Sequence, residues 1–263
     1  MCSKNDESFD KYVLPGKPIS PDASAATMLT FIDGVLLYNG APVAAISLVD
    51  ALNQFIKYLG KKCVKDTDKC LLLAHNWHQF DSKVLLNKLG QCDLLENFDN
   101  VCIGFSDSLP LFQSLEPERK INKKGYKLID LCHDLCSYDY DAHNSLQDVI
   151  ALKVLCSKCA SSKDLVSHSV SLKYVQETLL YHDNKQHLLS SFQPLICSKI
   201  LSKGMADKLA GSGLQLGHLK LAHKRSPSNG IKALFSEKTM HGKPRITKNL
   251  PIIDKVINYL SSK

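Results

Sequence analysis

The chain has 263 residues, of which 44% are hydrophobic and 22% are charged, a composition typical of a globular protein with a sizeable core. It contains no run of about 18 apolar residues and begins without an apolar segment, so we expect neither a membrane-spanning helix nor a secretory signal. Ten cysteines in such a chain indicate reduced thiols, and we therefore expect an intracellular protein, nuclear or cytoplasmic.

The net charge of +7 is unevenly distributed along the chain. From Ile196 to Lys263 there are 13 Lys and Arg against 3 Asp and Glu, which gives +10. The preceding residues carry 20 against 23, which gives −3 and restores the total of +7. A basic tail behind a mildly acidic body indicates a polyanionic partner such as nucleic acid, although solvated surface lysines would give the same count.

Hydrophobic periodicity predicts strands that alternate with helices over the first part of the chain. The predicted strands are a short segment that stops near Leu14, a weak extended stretch over Thr30–Tyr38 broken at Asp33-Gly34, Cys70–Ala74 and Val101–Phe105. The predicted helices are Ile46–Leu59, Asp81–Leu89, Tyr126–Cys136 and Leu146–Leu155. This alternation is typical of an α/β fold.

Beyond Ala160 the pattern is mostly helical and becomes basic towards the end. A turn is predicted at Ser226–Gly230, where Pro, Gly, Ser and Asn cluster between two helical patterns. We therefore expect one domain over 8–160 and a helical basic region over 161–263.

Four cysteines, at 132, 136, 156 and 159, form the tightest cysteine group in the sequence. Cys156 and Cys159 have a spacing used by zinc ligands. However, both pairs fall in segments that read as continuous helix, and cysteine is common as a small buried hydrophobe. Core packing is therefore favoured over a zinc site.

Two polar segments lie where a strand or a loop runs into a predicted helix, 73–81 and 141–148. Asp81 and Asp148 each fall in the first turn of a helix, and His143 lies just before the second helix. Carboxylates that hold two divalent ions, with a histidine that takes a proton from water, are the chemistry of phosphodiester hydrolysis. Each residue also has a structural explanation, since Asp81 would cap its helix, Asp148 would favour the helix dipole and His143 would lie at the surface.

The order of these motifs resembles the DEDD exonuclease superfamily, in its histidine-containing branch. The likeness rests on His75-Asn76 followed by Phe80-Asp81 after an apolar strand, and then on His143 and Asp148. The segment 104–112 resembles the strand between the two motifs. The likeness is greatest to the exonuclease-like C-terminal domain of the promyelocytic leukaemia protein and its fish relatives, and it covers about 8–160, with a weaker likeness in the tail.

The resemblance implies a ribonuclease H-like α/β fold and a site for Mg²⁺ or Mn²⁺. Asp81 and Asp148 would be metal ligands and His143 would be the general base. We place nucleic-acid contacts at His75 and Asn76, beside the second motif. Two further contacts are expected in the basic tail, at Lys224 and Arg225.

The family's first motif, Asp-x-Glu on the first strand, occurs nowhere in this chain. The segment that resembles the third strand, at Tyr12–Pro15, lies close to Met1, so we expect a sheet that is incomplete at its N-terminal side. Hydrolysis is expected to be weak or absent, and a protein partner would complete the sheet. Two interpretations stay open: a 3′–5′ exonuclease-family protein that acts on or binds the 3′ ends of DNA or RNA with an incomplete metal site, or a non-catalytic module that uses the exonuclease fold to bind protein or nucleic acid.

Overall fold

The computed structural model describes residues 8–63, 65, 68–77, 80–142, 144–239 and 242–262. The chain divides into two compact units, Met1–Val175 and Gln176–Lys263. Strands are found in the first unit together with helices, and the described residues of the second unit are helical apart from one isolated bridge, Lys238 to Pro244. Within the described residues no helix is both long enough and apolar enough to span a bilayer.

The strands of the first unit form three small sheets within the described residues. In chain order they are β1 Tyr12–Val13, β2 Leu29–Ile32, β3 Val35–Tyr38, β4 Ala41–Pro42, β5 Ala45–Ile46, β6 Cys70–Ala74, β7 Cys102–Asp107 and β8 Ser169–Ser171. β1 pairs with β5 in parallel, and β2, β3 and β4 form an antiparallel meander. In the third sheet β7 is central, parallel to β6 and antiparallel to β8.

The helices are distributed over both units. Those that begin in the first unit are α1 Pro21–Thr27, α2 Leu48–Lys62, α3 Asp81–Gln91, α4 Leu95–Asp99, α5 Ser108–Leu115, α6 Glu118–Ile121, α7 Leu128–Leu131, α8 Ser145–Cys159, α9 Ser162–Ser167 and α10 Leu172–Leu188. Those of the second unit are α11 Gln193–Cys197, α12 Lys203–Gly211, α13 Leu216–Arg225, α14 Asn229–Ser236 and α15 Leu250–Ser261.

Several predicted elements are confirmed, because local sequence determines them. β6 has the predicted bounds, and α2 is capped by Ser47, whose side chain accepts a hydrogen bond from the Asp50 backbone. The interruption at Asp33 and Gly34 is a hairpin turn in which both residues have positive φ, 50° and 80°.

Two predicted elements differ from the structure. The segment 126–136 is not one α-helix, because α7 widens at Cys132 into a π-helix that ends at Cys136. β1 resembles a strand of a larger sheet in sequence, yet in the structure it pairs with β5 alone. Local patterns do not determine which strands pair, since pairing depends on residues far apart in the chain.

A core between α5, α7 and α8 supports the first unit. Phe112, Leu131 and Leu155 are fully buried there, and Cys132 packs among them. The second unit has its own core of buried apolar residues, which includes Phe192, Leu209, Leu219, Phe235 and Val256. Each unit therefore buries its own apolar side chains, as an independently packed domain does.

Gly104 allows β7 and β8 to approach closely, because a Cβ at this position would overlap the carbonyl oxygen of Val170. We predict that Gly104→Ala lowers the free energy of unfolding by about 1–3 kcal/mol, since the two strands must move apart. Urea denaturation followed by circular dichroism measures the change.

Gly60→Ala is the matched control. Gly60 lies in α2, and a Cβ there would meet only Val101 Cγ1 at 3.7 Å, an ordinary contact. Alanine should raise the free energy of unfolding by about 0.5–1 kcal/mol, because glycine is unfavourable inside a helix. Equal effects at both positions would contradict the close approach of β7 and β8.

Candidate functional site

The parallel strands β6 and β7 end side by side, with Ala74 paired to Asp107. The chain leaves β6 towards α3, which begins at Asp81, and leaves β7 directly into α5. Side chains that follow such strand ends share one edge of the sheet, the place where α/β folds form their sites. The second motif of the sequence therefore lies at a sheet edge, as its position after an apolar strand indicated.

Asp107 holds the two strand ends together. Its side chain is buried, with an exposed fraction of 8%, and its Oδ1 accepts hydrogen bonds from the backbone N–H of Asn76 at 2.8 Å and of Leu109 at 2.9 Å. The first bond crosses from β7 to the segment after β6, and the second caps α5. Asn76 itself has a φ of 60°, in the left-handed region that Asn tolerates.

Asp107 was not among the site residues predicted from the sequence. The available signal was an acidic residue at the end of an apolar strand that continues into a helix, the same signal that selected Asp81. Asp107 also carries a negative charge close enough to contribute to the raised pKa of Asp81.

His75 is bonded inside the protein through both ring nitrogens. Nε2 lies 2.9 Å from the Tyr126 carbonyl oxygen, which only accepts, so Nε2 donates and Nδ1 faces the Ser108 hydroxyl at 2.8 Å. Burial lowers the pKa of His75, against the opposing effects of the Tyr126 carbonyl and the charge of Asp107. Both polar atoms of the His75 ring thus already have protein partners. The proposed nucleic-acid contact at His75 stays a prediction.

Arg119 positions the segment that receives His75. The side chain is buried, with an exposed fraction of 5%, and its Nε and Nη2 donate to the Gly125 carbonyl at 3.1 and 2.7 Å. Its Nη1 donates to Asp134 Oδ2 at 2.8 Å, which compensates the buried charge. The backbone at Tyr126, beside Gly125, is thereby held near His75.

Asp81 lies at the first position of α3 and does not cap the helix. The residue before it, Phe80, has the cap position and makes no side-chain cap bond. Although Asp81 is at the surface, partial burial of the carboxyl raises its pKa, its own backbone N–H opposes the shift and Asp107 adds to it. Burial is therefore the main cause of the raised pKa, and the neighbouring carboxylate is a minor one.

Asp148 lies in the first turn of α8, as predicted. Burial, followed by the charge of the neighbouring Asp148, raises the pKa of the Tyr140 phenol far above its ordinary value. The Tyr140 hydroxyl therefore lies close to the Asp148 carboxyl group and stays protonated. His143, the proposed base, lies outside the described residues.

A cleft of about 690 Å³ opens in the first unit beside the N-terminus of α8. It is bounded by the β1 segment, the end of α1, the β2–β3 hairpin and the loop before α8. Tyr12 and Tyr38 line it with ring centroids 6.1 Å apart, and Lys11, Asn144 and Gln147 contribute polar groups. Aromatic faces beside hydrogen-bonding groups suit a planar polar ligand.

The donor sets do not fit a tightly bound metal within the described residues. In that part of the chain no group of three or more His, Cys, Asp or Glu is arranged to hold an ion. At the cysteine cluster, burial raises the pKa of Cys132 and Cys159 to about 11 and of Cys156 to about 12. In the structure these cysteines pack against the core around α7 and α8.

Lys224 and Arg225 are exposed in the last turn of α13, in the second unit. They stand one turn from the exposed Lys220, and cations at this end of a helix also match its dipole. The structure thus keeps the proposed phosphate contacts accessible.

The arrangement of strands, helices and strand-end carboxylates in the first unit is consistent with a ribonuclease H-like α/β domain. The family model described as the Exuperantia RNAse H-like domain matches residues 3–135, half of the chain, and the chain belongs to this family. A second model, described as PML, C-terminal domain, matches residues 188–263. No curated protein matches the chain.

The two family matches support an exonuclease-like fold. The PML match falls in the tail, where the sequence resemblance was judged weaker, and covers most of the second unit. The specific assignment to the histidine-containing DEDD branch stays a prediction.

The Asp107 carboxylate gives a direct test of the strand-end arrangement. We predict that Asp107→Ala lowers the free energy of unfolding by about 2–4 kcal/mol, because two backbone donors lose a charged, buried acceptor. Asp107→Asn keeps an oxygen at the same place and should recover at least half of the loss. Urea denaturation measures both, and an alanine variant as stable as the parent would show that Asp107 does not hold the strand ends.

Proposed function

We propose that this chain binds 3′ ends of nucleic acid, DNA or RNA, and that its site for hydrolysis is incomplete. Membership of a ribonuclease H-like family supports a nucleic-acid-related, nuclease-like role. The finer assignment, a 3′–5′ exonuclease-family protein without an effective Mg²⁺ or Mn²⁺ site, rests on the chemistry of its carboxylates.

The observation that carries the proposal is that Asp107, the buried carboxylate whose charge acts on Asp81, is already bonded to protein donors. Asp107 accepts two backbone N–H groups through one oxygen. Two-metal hydrolysis needs several carboxylates that converge on ions about 4 Å apart. Asp81 alone, next to a bonded Asp107, does not supply such a set.

The cleft beside α8 supports binding of a strand end. Tyr12 and Tyr38 offer aromatic faces on which bases stack, a contact worth about 1–3 kcal/mol per base. Lys11 adds a positive charge, Asp10 and Asp141 add negative charges, and the side chains of Asn144 and Gln147 add polar groups. The proposed contacts at His75 and Asn76 would act at the neighbouring strand end, Asn76 through its side chain, since its backbone N–H is bonded to Asp107.

The second unit supports binding of the phosphate backbone. From Gln176 to Lys263 there are 14 Lys and Arg against 5 Asp and Glu, a balance of +9. Two of the five acids are paired to cations within the unit, Asp207 to Lys185 at 2.9 Å and Glu237 to Arg245 at 2.6 Å. The unit therefore carries a net positive charge, and the lysines of α13 are exposed to solvent. Such a surface attracts polyanions, and the attraction weakens as the salt concentration rises.

The test follows a single-stranded oligonucleotide, DNA or RNA, labelled at its 3′ end, with Mg²⁺ or Mn²⁺ present. We predict that the chain binds the oligonucleotide. We also predict that it releases the label no faster than an Asp148→Ala variant does, because the set of metal ligands is incomplete. Gel analysis measures release and fluorescence anisotropy measures binding. Metal-dependent release that Asp148→Ala abolishes would instead establish an active exonuclease.

A charge-reversal pair controls the binding arm. Lys224→Glu with Arg225→Glu should weaken binding about tenfold at low salt, because each lost phosphate contact also removes counterion release. The matched pair Lys203→Glu with Lys208→Glu makes the same change of charge on α12 and should have a clearly smaller effect. Equal losses would mean that overall charge, and not the α13 surface, drives binding.

A protein partner that completes the sheet is the remaining part of the proposal. In its described sheet β6 pairs with β7 alone, although its five residues are apolar and half-buried. An exposed strand edge is a template for pairing with a further strand. Backbone amides of β6 should therefore exchange hydrogen more slowly in a complex with the partner than in the isolated chain. Hydrogen–deuterium exchange measures the difference. Unchanged protection of β6 in every complex found would exclude this role.

A further inference from the structure

Two thiols of the first unit lie in contact far from the strand-end carboxylates. Cys63 follows the last residue of α2 and Cys70 is the first residue of β6, and their Sγ atoms are 3.6 Å apart. Both residues are partly exposed. Both thiols also approach the same carbonyl oxygen, that of Leu59, at 3.6 Å for Cys63 and 3.4 Å for Cys70.

The contact suits formation of a covalent bond between the two sulfurs. A disulfide bond is about 2.0 Å long, so the sulfurs need to approach by roughly 1.6 Å. Rotation about the Cα–Cβ bonds can move a sulfur by such a distance. The Leu59 carbonyl accepts only weak S–H bonds, which cost little to break.

Partial exposure separates this pair from the buried cysteines. Cys102 is fully buried and burial raises the pKa of its thiol to about 11, so it neither ionises readily nor meets a dissolved oxidant. Cys132 and Cys156 are likewise buried in the core. Reaction of a thiol depends on access and on the thiolate form, and Cys63 and Cys70 have the access.

We propose that Cys63 and Cys70 form a dithiol site that a hydroperoxide oxidises reversibly to a disulfide. The thiolate of one cysteine attacks the peroxide oxygen, the O–O bond breaks, and a sulfenic acid and hydroxide form. The second thiol attacks the sulfenic sulfur, the S–O bond breaks and water leaves. Two thiols and one hydrogen peroxide thus give one disulfide and two waters, and an excess of a dithiol reductant reverses the change.

The disulfide would tie the end of α2 to the start of β6. The opposite end of β6 carries His75 and Asn76, which are bonded to Ser108 and Asp107. Oxidation would then fix β6 at both ends, with a covalent bond at one and hydrogen bonds at the other. A short closed loop lowers the entropy of the unfolded chain and so stabilises the folded one.

Peptide mapping of the full chain tests the proposal directly. Trypsin cleaves after Lys62, Lys65 and Lys69, so it separates the two cysteines into the peptides 63–65 and 70–83. The chain is treated with hydrogen peroxide, free thiols are blocked by alkylation, and the digest is analysed by mass spectrometry. We expect the two peptides joined, lighter by two hydrogens than their sum, and separated again after reduction.

Variants and melting curves provide the controls. Cys63→Ser and Cys70→Ser should each abolish the joined peptide, whereas Cys92→Ser, at another partly exposed cysteine, should leave it. Oxidation should raise Tm on the order of 5 °C in the parent and in Cys92→Ser but not in Cys63→Ser. Peptide 63–65 that stays alkylated while other cysteines oxidise, or that joins a different cysteine, would overturn the proposal.

Discussion

The buried carboxylate of Asp107 is the interaction on which the strand-end region depends. The backbone hydrogen bonds between parallel strands stop where the strands end. The segments that leave the strands therefore need other hydrogen bonds to hold them in place. One oxygen of Asp107 supplies them, since it holds the backbone at Asn76 after β6 and the first turn of α5 after β7. Asn76 lies on the segment that leads from β6 to α3, which begins at Asp81.

A second set of bonds extends this order to the loop before α7. His75 links the end of β6 to Ser108 and to the Tyr126 carbonyl, and Arg119 holds the adjacent Gly125 carbonyl. Polar side chains in this region thus join elements that the small sheet does not connect.

Elements set by local sequence could be predicted, and arrangements set by distant residues could not. β6, the Asp33–Gly34 turn and the Ser226–Gly230 turn follow from apolar runs and turn residues, which act over a few positions. The importance of Asp107 follows from its pairing with Ala74 and from a bond to Asn76, 31 residues earlier. No pattern around Asp107 reveals that partner. Asp81 and Asp148 were found at helix starts because helix starts are determined by local sequence.

The π-helical turn at Cys132–Cys136 sets a constraint on length. A π-turn holds one residue more than the corresponding α-helical turn, and one residue in an α-helix corresponds to a rotation of about 100°. Leu131 before the turn is fixed in the core, and Ser137 after it ends the helix with a positive φ of 52°. A deletion of one residue here would leave a regular helix but change the direction in which the chain leaves it at Ser137. Homologous chains should therefore tolerate substitutions in this turn more readily than a change in its number of residues.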